Sequence, residues 1–343
     1  MKLSATENRW KSLRMPAIAL ALIAVILYLG AQKNFGPVQY AQFIADGLRG
    51  GAIYAMIAMG FVIVYNVTGV INFAQGAFVM LGAMLAVTFH EMEMPLSPAL
   101  RLIVSVMLSI AATTLIGILI ERLTIHPARF SSPLTLIIIT VGVFITIQGL
   151  ALLVWGPDAH IFPSFTTLEM ADKVFRVNGV VIKAQGFWIW GITAIVLIWL
   201  AFFFEKTLLG KAMRACAVNQ RAARLVGIRF DRMSLLAFAM ASALGAISGI
   251  IIAPLLRPSF DIGLNLGLKG FVAAIIGGLV NPVGAVLGGL MLGLLENISA
   301  GVTKAGMRDI YAYTLLILTL LFRPQGLLGA KKTAVETGGE SRA

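Results

Sequence analysis

The chain has 343 residues, of which 59% are hydrophobic and 12% are charged, and its formal net charge at pH 7 is +12. Soluble domains are about 25% charged, so this chain lacks the charged residues that a water-facing surface needs. The composition excludes an ordinary soluble protein and predicts a membrane protein. Its 35 glycines suit closely packed membrane helices, so the positive charge does not by itself indicate nucleic acid binding.

Apolar runs predict the membrane-spanning helices, because a helix needs about 20 mostly apolar residues to cross a bilayer. The runs fall at 17–31, 48–66, 73–89, 98–120, 133–155, 187–204, 233–253, 268–298 and 309–322. They predict an all-α polytopic membrane protein with about eight full transmembrane helices plus one broken or re-entrant pair. The short first run has features of a signal peptide, but we expect it to be retained as a helix. One transmembrane domain is expected over 1–329, followed by a disordered cytoplasmic tail at 330–343.

The loops between these runs differ in charge, which predicts their side of the membrane. Loop 205–232 holds seven basic and two acidic residues, and loop 121–132 holds two basic and one acidic residue, whereas loop 156–186 is mixed. Basic residues concentrate in cytoplasmic loops. We therefore expect 121–132, 205–232 and the N-terminus in the cytoplasm of a bacterial cell, and 156–186 outside the inner membrane.

The run 268–298 is interrupted by Asn281-Pro282, a pair that favours a turn and breaks helices. Each half is expected to be too short for an ordinary untilted span. A pair of segments that runs into the membrane and back would also return the basic C-terminus to the cytoplasm. A single kinked helix would leave it outside. Whether the halves span or re-enter stays open.

A similar interruption occurs earlier, around Asn72. Gly76-Ala77 follows Asn72 as Gly284-Ala285 follows Asn281. Paired interrupted segments indicate a central site in transporters built of repeats. We therefore expect a substrate pathway, and an inverted repeat, around these two segments.

The side chains available within the predicted spans are neutral. No Asp, Glu, Lys or Arg lies near the middle of a predicted span, with Glu121 and Glu296 assigned to helix ends, which argues against a proton relay. The neutral polar groups suit either a small zwitterionic or apolar solute, or hydrogen bonds between helices. The residues assigned to the substrate pathway are Asn66, Asn72, Gln75, Gly76 and Asn281.

No catalytic or cofactor-binding pattern accompanies them. The phosphate-binding loop Gly-x-x-x-x-Gly-Lys-Ser/Thr is absent, and the three histidines are assigned to loops or helix ends, without metal-binding spacing. We expect no enzymatic activity, no metal site and no cofactor bound by this chain.

Residues 211–226 in the basic loop have helical composition, and Gly227 is placed to end the helix. A basic amphipathic helix either lies on a membrane surface or docks into a groove of a soluble partner. The small apolar residues Ala215 and Ala222 favour docking, because a surface anchor normally uses large apolar residues.

Four motifs in order along the chain make the sequence recognisable. They are Ile71-Asn-Phe-Ala-Gln-Gly76, Gly210-Lys-Ala-Met-Arg-Ala-Cys-Ala217 with its continuation to Ile228, Gly267-Leu-Lys-Gly-Phe-Val-Ala-Ala-Ile-Ile-Gly-Gly278, and Arg323-Pro-Gln-Gly-Leu-Leu-Gly329. Over residues 40–329 the chain resembles the permeases of branched-chain amino acid ABC transporters, and the closer likeness is to the LivH-type subunit.

The resemblance implies an ABC importer permease fold and several partners. These are a LivM-type second permease, two cytoplasmic ATPase subunits that hold ATP and Mg, and an extracytoplasmic solute-binding protein. It also implies that the basic loop is the coupling segment, which would place at an ATPase the residues Arg214, Ala215, Asn219, Ala222, Gly227 and Ile228.

The resemblance defines the class of transporter more closely than its cargo. Many relatives carry His where Gln75 stands, and Gln does not titrate near neutral pH. Similar permeases serve urea, short amides and sugars. Leu, Ile and Val are the expected cargo, with urea or short amides as the alternative, and a stand-alone channel or secondary carrier is the alternative of another class.

Overall fold

The computed structural model describes residues 32–166, 174–303, 305–323 and 325–328. The helix predicted at 17–31 and the tail predicted at 330–343 lie outside these residues. The described chain is mostly helical, with one antiparallel two-stranded hairpin in which Val177 pairs with Val180. The helical membrane architecture is therefore confirmed.

The hairpin strands are β1 (Val174–Val177) and β2 (Val180–Lys183). The helices are α1 (Pro37–Thr68), α2 (Gln75–Glu91), α3 (Pro98–Ile120), α4 (Pro133–Trp155), α5 (Ala184–Lys206), α6 (Leu208–Val218), α7 (Gln220–Leu225), α8 (Phe230–Leu256), α9 (Ile262–Gly277), α10 (Pro282–Val302) and α11 (Arg308–Phe322). A π-helical turn, Glu121–Ile125, extends α3.

Six of the helices in the described ranges are long and apolar enough to cross a membrane, namely α1, α3 with its extension, α4, α5, α8 and α10. The helices α2, α9 and α11 are shorter, with 17, 16 and 15 residues. The expected count of about eight full spans therefore stays a prediction.

The helical structure is interrupted between α9 and α10, at the position that Asn281-Pro282 predicts. The Asn281 side chain caps α10 by accepting hydrogen bonds from the backbone N–H groups of Val283 and Gly284, and Pro282 occupies the first turn. The expectation that both halves are too short to span is wrong for α10. It continues to Val302, beyond the apolar run, and reaches 21 residues.

The centre of the bundle is α1, which packs against α8, α9 and α10. Glycines bring α1 and α10 into backbone contact, because a Cβ atom on Gly51 would lie 2.8 Å from the Cα atom of Leu290, and one on Gly47 would lie 2.8 Å from that of Leu294. By contrast, α4 and α5 are peripheral and expose most of their apolar side chains. The buried core thus surrounds α1.

The loops gather at two ends of the bundle. We call one the basic end, formed by residues 66–68, 207–229, 278–281 and 325–328, where the Gln220 side chain donates to the Val67 carbonyl. Loop 121–132 joins this end through an ion pair between Arg129 and Asp231. We call the opposite end, which carries β1 and β2, the hairpin end. There the Gln42 side chain donates to the Val181 carbonyl and accepts from the Val181 N–H group. The two loops predicted to be cytoplasmic therefore lie together.

A glycine substitution tests the contact between α1 and α10. We expect Gly51→Ala to lower the midpoint of thermal unfolding in detergent, because overpacking a tight core costs about 1–3 kcal/mol. The control is Gly142→Ala on α4, where a Cβ atom meets nothing within 4 Å. An unfolding midpoint for Gly51→Ala at or above that of Gly142→Ala would contradict the contact.

Candidate transport pathway and coupling surface

A cavity of about 1270 Å³ lies at the basic end. Residues of α1, α5, α6, α9, α10 and α11 line it. Most of the lining is apolar, including Met59, Leu197 and Ile275, and polar groups such as Asn66 and Arg214 lie among it. A mostly apolar cavity with a few polar groups is the usual form of a small-molecule site.

The two interrupted segments of the sequence meet beside this cavity. The Asn66 side chain lines it and donates to the Val280 carbonyl in the break between α9 and α10, at 3.1 Å. Asn281 is the residue after Val280, and its side-chain amide donates to the Leu328 carbonyl at 3.0 Å. The structure therefore brings Asn66 and Asn281 together, with Asn281 acting as a helix cap.

The other three predicted pathway residues are buried between helices, away from the cavity lining. Asn72 accepts a hydrogen bond from the Ala74 N–H group in the turn before α2. Gln75 is 0% exposed and donates to the Ala241 carbonyl on α8 at 3.0 Å. Gly76 packs so closely on α9 that a Cβ atom on Gly267 would lie 2.7 Å from its Cα atom. A role of these three in transport stays a prediction.

An ionic cluster joins α9, α10 and α11, with Lys269 and Glu296 buried and Arg308 and Asp309 exposed. Lys269 Nζ lies 2.7 Å from Glu296 Oε1 and 2.9 Å from Asp309 Oδ1, and Arg308 Nε lies 3.5 Å from the same Glu296 oxygen. The Lys269 and Glu296 side chains are 8% and 0% exposed. Ionisable groups at such depth are costly and are commonly functional.

This cluster corrects the expectation that the spans contain only neutral groups. The apolar run begins at 268 and ends at 298, so Lys269 and Glu296 fall at its two edges. In the structure α9 begins at Ile262 and α10 continues to Val302, which places both residues inside helices. Glu121 is also buried, but it lies at the end of α3, as predicted. The argument against a proton relay therefore no longer holds.

The basic loop forms two short helices instead of the single helix expected over 211–226. The chain is extended at Asn219, with φ −158° and ψ 104°, and the Asn219 side chain accepts a hydrogen bond from the Ala222 N–H group. Asn219 therefore starts α7 as its N-cap, which is a favoured role of asparagine. Gly227 ends the helical segment with φ +86°, as predicted.

The loop combines a buried anchor with an exposed surface. Met213, Cys216 and Ala223 are buried, and burial raises the pKa of the Cys216 thiol, which makes it less reactive. Leu225 and Val226 are 89% and 77% exposed. Of the predicted coupling residues, Ala215 and Ile228 are half-buried, and the exposed ones are Arg214, Asn219, Ala222 and Gly227.

Exposed apolar side chains next to arginines favour a protein partner for this loop. Gly210 allows α6 to approach the end of α5 closely, because a Cβ atom there would lie 2.7 Å from the Cα atom of Phe204. Arg214 also lines the cavity. The same short helix thus forms part of the exposed surface and part of the cavity wall.

A bundle of apolar helices with a cavity at one end and an exposed basic loop beside it is the form expected of a multi-pass membrane transport permease. Residues 43–322 match the family described as "Branched-chain amino acid transport system / permease component". The chain belongs to this family.

Individual relatives are similar over most of the chain. The high-affinity branched-chain amino acid transport system permease protein BraD of Pseudomonas aeruginosa is 34% identical over 296 residues, which cover 84% of this chain and 96% of BraD. The corresponding permease protein LivH of Salmonella typhimurium is 31% identical, with the same shares covered. The xylose/arabinose import permease protein XylH of Sulfolobus acidocaldarius is 28% identical over 59% of this chain and 54% of XylH. The chain is a multi-pass inner-membrane protein.

The ionic cluster generates a stability prediction. We expect Lys269→Met to lower stability by about 3–5 kcal/mol, because it leaves the Glu296 carboxylate buried without its closest cation. The double variant Lys269→Met with Glu296→Leu should recover much of this loss, since an apolar pair replaces both charges. Thermal unfolding in detergent compares the variants.

The matched control is the ion pair between Arg49 and Asp46, whose side chains are 27% and 29% exposed. Arg49→Met should cost about 1 kcal/mol or less. If Lys269→Met were no more destabilising than Arg49→Met, the buried cluster would not contribute as described.

Proposed function

We propose that this chain is the LivH-type permease subunit of an ATP-driven importer for the branched-chain amino acids Leu, Ile and Val. The observation that carries the proposal is that α6 both lines the cavity and supports the exposed basic surface. A force applied at this surface would therefore act directly on the cavity wall. The predominantly apolar lining and the names of the relatives BraD and LivH support an apolar amino acid as cargo.

The partners follow from this role. Two cytoplasmic ATPase subunits, which hold ATP and Mg, would bind the surface formed by α6 and α7. A LivM-type second permease would complete the pathway in the bilayer. An extracytoplasmic solute-binding protein would deliver the amino acid at the hairpin end. This arrangement puts the basic end and both termini in the cytoplasm.

The mechanism we propose is alternating access. ATP binding closes the ATPase dimer, and the movement passes through α6 to the helices around Asn66 and Asn281. In the described structure α2 and α9 are in close contact at Gly76 and Gly267, further from the basic end than the cavity lining on α9. Opening toward the solute-binding protein would require these two helices to separate. The five pathway residues, including Asn72 and Gln75, would border the moving segments.

A second candidate function is a secondary carrier that acts without an ATPase. The specific observation in its favour is the buried ion pair between Lys269 and Glu296, because proton-coupled carriers use ionisable groups buried within the membrane. Urea, short amides or other small polar solutes are the alternative cargo of an ATP-driven importer. The likeness to a sugar permease shows that membership of similar families does not define the cargo.

Uptake by the reconstituted complex separates these functions. We expect ATP-dependent accumulation of Leu, Ile and Val in vesicles that contain this chain, its partner permease, the two ATPases and the solute-binding protein. Urea, acetamide and glycine serve as comparison solutes. Accumulation by this chain alone, driven by a proton gradient without ATP, would favour the secondary carrier instead.

A charge reversal tests the coupling surface. We expect the double variant Arg214→Glu with Arg221→Glu to weaken co-purification of the ATPases about tenfold or more, because reversed charges at an interface cost several kcal/mol. The unfolding midpoint should remain near that of the unsubstituted chain, since both residues are exposed. Arg176→Glu in the hairpin, at the opposite end, is the control. Unchanged co-purification of the double variant would refute the coupling assignment.

A further inference from the structure

Three phenylalanine rings from different segments meet at the inner end of the cavity. Phe271 on α9 lines the cavity. Its ring centroid lies 5.7 Å from that of Phe61 on α1 and 5.2 Å from that of Phe73 in the loop before α2. Tilted rings at such separations make favourable aromatic contacts. Phe271 is therefore the member of the cluster that joins the other two.

Phe271 also marks how far the cavity extends into the bundle. The lining residues furthest from the basic end are Met59 on α1, Leu197 on α5 and Phe271 on α9. They precede the ends of their helices by six to nine residues, which corresponds to about 9–14 Å at 1.5 Å per residue. Further along α9, the contact between Gly76 and Gly267 leaves no space. Phe271 and its aromatic neighbours thus mark the inner end of the cavity, beyond which α2 and α9 pack directly against each other.

The surroundings hold the Phe271 ring in place. Phe61 is 1% exposed and lies behind Phe271 in the core, without lining the cavity. Phe73 is fixed through its backbone, because its N–H group donates to Thr140 Oγ1 at 3.1 Å. Gly270, next to Phe271, brings α9 close to α1, because a Cβ atom there would lie 2.7 Å from the Cβ atom of Ile57. A ring held from two sides sets a defined limit to the space in front of it.

We propose that Phe271 is a specificity-determining residue of the permease, which limits the size of the side chain that a transported neutral amino acid can carry. This inference rests on the proposed function and deepens it. A solute leaving the closed region toward the cavity passes the face of this ring. An aliphatic side chain gains apolar contact there, whereas a polar one loses hydrogen bonds to water without replacement. A larger side chain would require the ring to leave its two aromatic neighbours.

The experiment changes the size of this one side chain and measures transport selectivity. Phe271→Ala and Phe271→Trp are reconstituted with the partner subunits, and uptake is compared for alanine, valine, leucine and phenylalanine. A series of amides from acetamide to hexanamide is measured in parallel. We expect Phe271→Ala to raise the ratio of phenylalanine to valine uptake about tenfold, and Phe271→Trp to lower the ratio of leucine to alanine uptake about tenfold.

The matched control is Phe61→Leu, which removes a ring from the same cluster but not from the cavity lining. It should change total uptake and stability while leaving the uptake ratios within about threefold. Equal changes for all solutes in the Phe271 variants would overturn the proposal. So would equal shifts of the ratios in Phe61→Leu, because the ring in the cavity would then have no special role.

A second measurement is independent of transport. In a Cys216→Ala background, which removes the only cysteine of the chain, Phe61→Cys is exposed to a charged thiol reagent from the basic end. We expect it to be shielded when Phe271 is present and to be labelled when Phe271→Ala is added, while Ile275→Cys in the cavity wall is labelled in both. Labelling of Phe61→Cys behind an intact Phe271 would overturn the proposal.

The two measurements distinguish this inference from the proposed function. If only amides are transported and their size ratios shift in the Phe271 variants, the amino acid cargo is wrong and the size limit stands. If no solute is transported by the unsubstituted complex, the proposed function fails, and the labelling of Phe61→Cys decides whether Phe271 closes the inner end of the cavity.

Discussion

The close backbone contact between α1 and α10 is the constraint on which the rest of the bundle depends. Apolar surface gives no driving force for helix association in lipid, so small residues and close packing must hold the helices together. Gly47 and Gly51 on α1 face Gly289 and Gly293 on α10 without an intervening side chain. This contact fixes α1 at the centre of the bundle. The last turns of α1, which include Asn66, line the cavity.

The position of α10 in turn fixes α9. The two helices touch through Gly277 and Gly284, just beside the Asn281 cap. At some distance from this break, Lys269 and Glu296 join the same pair of helices and connect them to Asp309 on α11. A buried ion pair adds little net stability compared with a well-packed apolar pair. We therefore interpret the cluster as a device that selects one register of α9, α10 and α11.

The sequence predicts most of the architecture because the responsible signals are local. Asn281-Pro282 indicates a break from two adjacent residues, Gly227 indicates a helix end by itself, and basic residues in short loops indicate a common side. The break at Asn219 also has a sequence signal, because asparagine is a favoured N-cap residue. The helical composition of 211–226 nevertheless favours one continuous helix.

Other features could not be predicted because they depend on partners distant in sequence. Lys269 and Glu296 lie at the edges of an apolar run, and only the three-dimensional packing shows that they are buried together. Likewise, Gln75 is a polar residue in a predicted interruption, but its hydrogen bond to the Ala241 carbonyl depends on the approach of α8. The cavity itself is lined by six helices, so no single motif indicates Phe271.

The short helix α6 explains how one loop serves two purposes. Its buried side, with Met213 and Cys216, packs against the membrane helices, while Arg214 faces both the surface and the cavity. Gly210 lets α6 approach the end of α5 with almost no space between them. A displacement of α6 is therefore not absorbed by a flexible linker, and it must move α5 or change the cavity wall. Under the proposed function, coupling would need no long pathway, because the exposed basic surface and the cavity share a helix.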